Sequence, residues 1–231
     1  MISINDIYKN IVLDLYMSGK IVAARSMRAK EFQAHEVRID PQDNIITLPG
    51  FETNLEYAMT ELAWYYSGDP SINYSPLIKR VWEKYSDDGM HVNSNYGERI
   101  FGKHPLLDID QWQWVKDKII ADPDTRQAVI NINSYFDKYQ ETKDFPCTMC
   151  MQFMQRDNKL DMIVYMRSND IYYGFRNDIY CFAEMQKRMA RELCIDSGIY
   201  THIAGSMHLY EKDWPKVERL TLDVVRRTND K

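Results

Sequence analysis

The sequence predicts an α+β fold, with a large mixed or antiparallel sheet and flanking helices. Three observations carry this. Runs rich in β-branched and aromatic residues recur at 20–48, 128–133, 149–167 and 199–210. Two of them, 149–156 and 160–167, are separated only by Arg156-Asp157-Asn158-Lys159, a hairpin signal. Between the runs lie segments whose apolar residues recur at helical spacing.

In chain order, Ile7, Ile11, Leu13, Leu15 and Tyr16 predict a helix over 4–19, ending near Gly19. The segment 20–48 reads as strands through Phe32, Val37 and Ile39 and again through Ile45, Ile46 and Leu48, with Pro-Gln-Asp-Asn as the turn between them. Thr53-Asn54 caps a helix over 55–67 with the face Leu55, Ala58, Met59, Leu62 and Tyr66, and Gly68-Asp69-Pro70 ends it. Shorter helices are expected over 75–85 and 109–121. Asp122-Pro123-Asp124 is a turn before the strand Ala128–Asn133. Asp178 to Cys194 is the clearest helix, with Ile179, Phe182, Met185, Met189 and Leu193 on one face. Residues 199–210 and 217–226 read as two further strands.

The 231 residues fit one domain spanning 1–231, and 45% hydrophobic residues suffice for a core. A net charge of -5 argues against wholesale nucleic-acid binding, though not against a local phosphate pocket. No apolar run is long enough to span a bilayer. Met1–Asp6 lacks the basic-then-apolar pattern of a signal peptide. Four cysteines, at 147, 150, 181 and 194, do not make a disulfide framework, so a cytoplasmic, reducing compartment is expected. Cys147 and Cys150 form a C-x-x-C, but no second pair or neighbouring histidine completes a metal site, and none is expected.

Two segments carry the chemistry: Asp144-Phe145-Pro146-Cys147-Thr148-Met149-Cys150-Met151-Gln152-Phe153 and Arg167-Ser168-Asn169-Asp170-Ile171-Tyr172-Tyr173-Gly174-Phe175-Arg176-Asn177-Asp178. Together they resemble the thymidylate synthase superfamily, in which a Pro-Cys pair followed by Gln-Phe carries the nucleophile and Arg-Ser-x-Asp-x-x-x-Gly the phosphate and folate contacts. The resemblance implies the family fold, in which two sheets pack face to face in a homodimer. It covers about residues 50–215. It implies 5,10-methylenetetrahydrofolate as one-carbon donor and a pyrimidine nucleoside monophosphate, dCMP or CMP, as the second substrate.

By that resemblance Cys147 adds to carbon 6 of the pyrimidine, which makes carbon 5 enamine-like and able to attack a one-carbon electrophile. A bare cysteine is otherwise a small buried hydrophobe. Thr148 stands where many family members have histidine. Arg167 and Ser168 match the phosphate ligands. Arg126, in Asp122-Pro123-Asp124-Thr125-Arg126, matches a segment that reaches the other subunit's phosphate, although Gln127 replaces a second arginine. Arg25 stands for the N-terminal phosphate arginine, with Arg28 as the alternative. His208 and Tyr210, in Gly205-Ser206-Met207-His208-Leu209-Tyr210, match the pair that holds the sugar hydroxyl, and their spacing puts both on one face of a strand. Gln152 belongs to the substrate set. Asp170, Trp82 and Gly174 match folate contacts, Gly174 by permitting close backbone approach. Tyr96 matches a proton-relay position and Glu61 the glutamate that organises water. A mid-helix glutamate is otherwise a solvated charge.

One departure sharpens the expectation. Synthases usually place asparagine where this chain has Asp178, and aspartate there resembles the deoxycytidylate hydroxymethylase branch. An asparagine amide complements the N–H at position 3 and the carbonyl at position 4 of uracil; cytosine reverses the pattern. A carboxyl accepts from the amino group and, when protonated, donates to position 3. The plain alternative is that Asp178 caps the helix that follows. Asp144, in place of a usual apolar residue, is the candidate to orient water onto the exocyclic carbon, giving hydroxymethyl rather than methyl product. The expected activity is therefore hydroxymethyl transfer to dCMP. Methylation or hydroxymethylation of dUMP is the alternative, and a catalytically silent nucleotide-binding protein is the alternative of another class.

Overall fold

The computed structural model describes residues 2–103, 108–135, 137 and 142–229, with side chains as far as 221 in the last helix. The fold is α+β. A seven-stranded mixed sheet has the order β1-β2-β7-β5-β4-β3, with short β6 pairing β7. The strands are β1 Lys20–Ala24, β2 Met27–Ile39, β3 Val129–Asn131, β4 Thr148–Arg156, β5 Lys159–Met166, β6 Asn169–Asp170 and β7 Asp196–Tyr210. The helices are α1 Ile4–Ser18, α2 Leu55–Ser67, α3 Pro76–Trp82, α4 Tyr96–Phe101, α5 Gln111–Ala121, α6 Gly174–Glu192 and α7 Trp214–Asn229.

β4 and β5 form the expected hairpin. Asp157 and Asn158 both take left-handed backbone at φ 50° and 58°, the conformation a two-residue turn between twisted strands requires. The ladder pairs Arg156 with Lys159 and Cys150 with Tyr165, then shifts by one residue between Thr148 and Cys150, so that Thr148 pairs with Met166. That bulge lies beside the nucleophile candidate. β5 and β7 run parallel, as the intervening helix α6 requires. One face of the sheet carries Met151, Phe153, Met162, Val164, Tyr200 and Ala204, all fully buried under the helices. The other carries Met154, Ile163, Tyr165 and Ile203, which are half-buried or exposed. No helix among the described residues is long and apolar enough to cross a membrane.

Several expectations are corrected. Residues 217–226 are helix, not strand: Pro215 sits in the first turn of α7, and Val217 and Leu220 pack at helical spacing. Residues 45–48 form no strand; the loop is clasped instead by Thr53, whose Oγ1 accepts from the Ile46 N–H at 3.1 Å and whose N–H donates to the Ile46 carbonyl at 2.8 Å. Helix α6 starts at Gly174, so Asp178 lies a full turn inside it and is not its cap. On α2 the buried face is Ala58, Glu61, Leu62, Trp64 and Tyr65, while Leu55 and Met59 are exposed. The apolar spacing of α2 hid this, because one of its most buried positions is a glutamate. Helix α4 and strand β6 were not anticipated.

Helix α4 presses backbone to backbone on α2. A Cβ on Gly97 would stand 2.6 Å from the Tyr65 carbonyl oxygen and 2.9 Å from its Cα. Gly97→Ala is therefore expected to push α4 off α2 and cost about 1–3 kcal/mol of stability. Urea unfolding checks this, with a lower midpoint at unchanged slope as the expected result.

Candidate functional site

Cys147 precedes β4 and Arg167 follows β5, so the hairpin register sets them opposite one another. The Arg167 N–H donates to the Cys147 carbonyl at 2.8 Å. The guanidinium curls over the same turn: Nε donates to the Pro146 carbonyl and Nη2 to the Phe145 carbonyl, both at 2.9 Å, and Nη2 stands 3.6 Å from the Cys147 sulfur. Nη1 has no protein partner among the described residues. Burial pushes the Cys147 thiol up; Arg167 opposes this, while the carboxyls of Asp178 and Asp144 add to the rise. Arg25, exposed at the tip of the β1–β2 hairpin, also lowers it. Thr148 is fully buried; its N–H donates to Tyr96 Oη at 3.0 Å, and its hydroxyl has no hydrogen-bond partner among the described residues.

Glu61 is 2% exposed on α2. Tyr57 Oη donates to its Oε1 at 2.6 Å, Trp82 Nε1 to the same oxygen at 3.0 Å, and the Asn177 amide to Oε2. Burial raises its pKa, and these donors, with Tyr65, oppose the rise. Trp82 is thus anchored through its ring nitrogen, which also reaches Tyr57 Oη at 3.0 Å.

The Asp178 carboxyl, on α6, is buried within electrostatic reach of Glu61. Asn169 Nδ2 donates to its Oδ2 at 2.7 Å, and its Oδ1 has no protein partner among the described residues. Burial raises the carboxyl to about 8; Glu61 adds to the rise and the Asn169 bond opposes it. Asp178 is therefore largely protonated at neutral pH. Gly174 has a local reason other than ligand approach: a Cβ there would stand 3.1 Å from Asn169 Nδ2 and 3.4 Å from Asp178 Oδ2, crowding this bond.

Asp170 accepts from the Tyr172 N–H at 2.9 Å, and burial raises its pKa against the pull of that bond, His208 and Lys212. His208 and Tyr210 stand edge to face at 4.8 Å on β7, and His208 pairs with Asp170 across the ladder. Ser168 is half-buried, and its hydroxyl engages no protein group among the described residues. Asp144 Oδ2 accepts from the Ser94 N–H at 2.8 Å, tying down the loop before α4. Two candidates lie apart from this group. Gln152 is five positions beyond Cys147, roughly 17 Å along the strand, where its amide donates to the Arg126 carbonyl at 2.9 Å. Arg126 lines an open cleft with Lys118, Asp124 and Gln127. Neither faces Cys147 of its own chain.

The sequence reading missed Tyr57, Asn169, Tyr200 and His202, and considered Asn177 only as a second candidate beside Asp178. Tyr57 lies four residues before Glu61, one helical turn, which was a readable signal. The others act through tertiary contacts that no local spacing announces.

The chain is similar to the deoxyuridylate hydroxymethyltransferase of Bacillus phage SP01, with 33% identity over 222 residues, covering 90% of this chain and 57% of that protein. The chain thus spans a little over half the length of this curated relative. The thymidylate synthase family description matches residues 6–229, nearly the whole chain, and the protein belongs to the thymidylate synthase family.

Proposed function

We propose that the protein transfers a hydroxymethyl group to carbon 5 of a cytosine nucleoside monophosphate, dCMP or CMP. The observation that carries this is the buried Asp178 carboxyl, bonded by Asn169 at one oxygen only, whose burial raises its pKa to about 8 and so favours the protonated form. It supplies one donor and one acceptor, the complement of position 3 and the amino group of cytosine. Cys147 adds to carbon 6 as thiolate, and Arg167 stabilises that anion. A neutral Asp178 serves this step too, since its ionised form would raise the Cys147 pKa. Arg167 Nη1, Ser168 and Arg25 bind the phosphate, and His208 and Tyr210 the sugar. Carbon 5 takes up the one-carbon unit and then loses its proton to water ordered by Glu61 and Tyr96, as the bond from that unit to the donor's nitrogen breaks, tetrahydrofolate leaves and an exocyclic methylene remains. Water held by Asp144 then adds to the exocyclic carbon as the Cys147 sulfur leaves carbon 6.

The donor is 5,10-methylenetetrahydrofolate, which supplies carbon at the oxidation level of formaldehyde. The residues fit such a ligand: Trp82 offers a half-buried ring fixed by its nitrogen, and Asp170 a carboxyl beside β7. The apolar positions on the outer sheet face, exposed Tyr165 with half-buried Ile163 and Ile203, suit a second copy of the chain, which would bring Arg126 and Gln152 to the partner's phosphate site. A second reading, hydroxymethylation of dUMP, is favoured by the name of the SP01 relative.

Cys147→Ala is expected to lower both product formation and tritium release from carbon 5 by roughly 10³-fold or more. Residual exchange near the wild-type rate would remove Cys147 as nucleophile. Mass spectrometry with dCMP, CMP and dUMP separates the readings: a gain of CH2O on a cytosine nucleotide supports the proposal, and the same gain on dUMP alone supports the second reading. Because Asp178 must keep its proton, kcat/KM for dCMP should fall as pH rises through about 8. Asp178→Asn should abolish that limb and shift the dCMP to dUMP preference by about 10²-fold or more towards dUMP. An unchanged limb would show that another group titrates there.

A further inference from the structure

Behind Asp178 runs a buried hydrogen-bond chain that the reaction scheme does not use. Tyr200 Oη lies 2.9 Å from His202 Nδ1, His202 Nε2 lies 3.1 Å from Asn169 Oδ1, and Asn169 Nδ2 lies 2.7 Å from Asp178 Oδ2. Tyr200 and His202 are fully buried and Asn169 nearly so. Each link has only one consistent polarity. The Tyr200 hydroxyl stays protonated, since burial pushes it far up, and His202 Nδ1 is its partner, so it donates there. His202 is neutral, held down to about 3 by burial, and a neutral imidazole donates through one nitrogen only. That nitrogen is then Nε2, which donates to Asn169 Oδ1. The Asn169 amide is left pointing its N–H at Asp178. Gly174 leaves the space in which this last bond forms.

We propose that Tyr200, His202 and Asn169 form a polarity lock that makes Oδ2 of Asp178 an acceptor and confines the carboxyl proton to Oδ1, so that the site presents the cytosine pattern rather than the uracil pattern. This rests on the reading of Asp178 as the base-contacting group. A neutral carboxyl free of such a lock would serve either base by moving its proton from one oxygen to the other. With Oδ1 towards ring position 3, cytosine takes the Oδ1 proton at N3 and gives an amino hydrogen to the second lone pair of Oδ2. Uracil in the same orientation needs the proton on Oδ2, where the Asn169 N–H already points, and two hydrogens would meet. The three residues are positioning residues, because none reaches the nucleotide.

Removing the Tyr200 hydroxyl releases the lock from its far end. The His202 proton is then free to move to Nδ1, the Asn169 amide to rotate, and the Asp178 proton to sit on Oδ2. The test is the ratio of dissociation constants for dUMP and dCMP by titration calorimetry on the full chain, without folate, so that chemistry does not enter. Tyr200→Phe should reduce the preference for dCMP by about tenfold, mainly through tighter dUMP binding. His202→Gln, which keeps an N–H donor towards Asn169, should retain the preference. His202→Leu carries the same test as Tyr200→Phe should that variant not fold. Equal weakening of both nucleotides, with the ratio within twofold of wild type, would be the mark of a merely structural role and would overturn the lock. Asp178→Asn in the same series separates the two claims. If it leaves the ratio unchanged, the base-contact reading itself is wrong; if it shifts the ratio and the lock variants do not, only the lock is wrong.

Discussion

Two carboxyl groups share one low-dielectric pocket, and the remaining site geometry follows from how they divide a single negative charge. Glu61 on α2 and Asp178 on α6 raise one another's cost of ionisation, so both cannot be charged cheaply. Their surroundings break the tie. Glu61 has donors from Tyr57, Trp82 and Asn177, whereas Asp178 has one, from Asn169. The donors oppose the rise at Glu61 and so favour the charge there, while burial, with Glu61 beside it, lifts Asp178 to about 8. A carboxylate suited to ordering water and a carboxylic acid suited to reading a base come from two similar side chains, distinguished by their neighbours.

Such a division needs rigid walls, because a group that moves into water recovers its ordinary pKa. The walls are aromatic. Tyr96 stacks on Phe182 at 6.4 Å and tilts against Tyr65 at 5.4 Å, joining α4, α6 and α2 around the pocket. The Gly97 contact brings α4 close enough for this, and the Tyr96 hydroxyl receives the Thr148 N–H beside the nucleophile. Packing and chemistry thus meet in one side chain. The polar groups left over near the site, the Thr148 hydroxyl and Asn177 Oδ1, are buried without partners among the described residues, which is a cost a fold bears where ligands or water complete the pairing.

Much of this was legible in the sequence, and the rest was hidden for identifiable reasons. The hairpin at 156–159 announced itself through Asp-Asn, and α2 through Asn54 and Gly68, because turn and cap chemistry is local. The motif spacing pointed to Cys147, Arg167 and Asp178 as one group, and they do converge. The C-terminal segment was misread because its β-branched residues outweighed its spacing. Gly174 also makes room for the Asn169–Asp178 bond, a contact with no sequence signature. The buried face of α2 was misplaced because burial of Glu61 depends on donors from α3 and α6, which lie elsewhere in the chain.

The bulge at the start of β4 has a consequence for how this chain tolerates changes in length. Through most of the hairpin the paired residue numbers sum to 315, as for Cys150 and Tyr165; past the bulge they sum to 314, as for Thr148 and Met166. Were the ladder to run on past Cys150 without the bulge, the sum would stay at 315 and Ser168, not Arg167, would stand opposite Cys147, leaving the sulfur without its guanidinium. Insertions at the Asp157-Asn158 tip carry no such effect, since they extend the hairpin outward from fixed pairs. Two windows on one hairpin thus differ: the outer one is free to drift in length, and in the inner one the pairing of Cys147 with Arg167 depends on the bulge absorbing one extra residue.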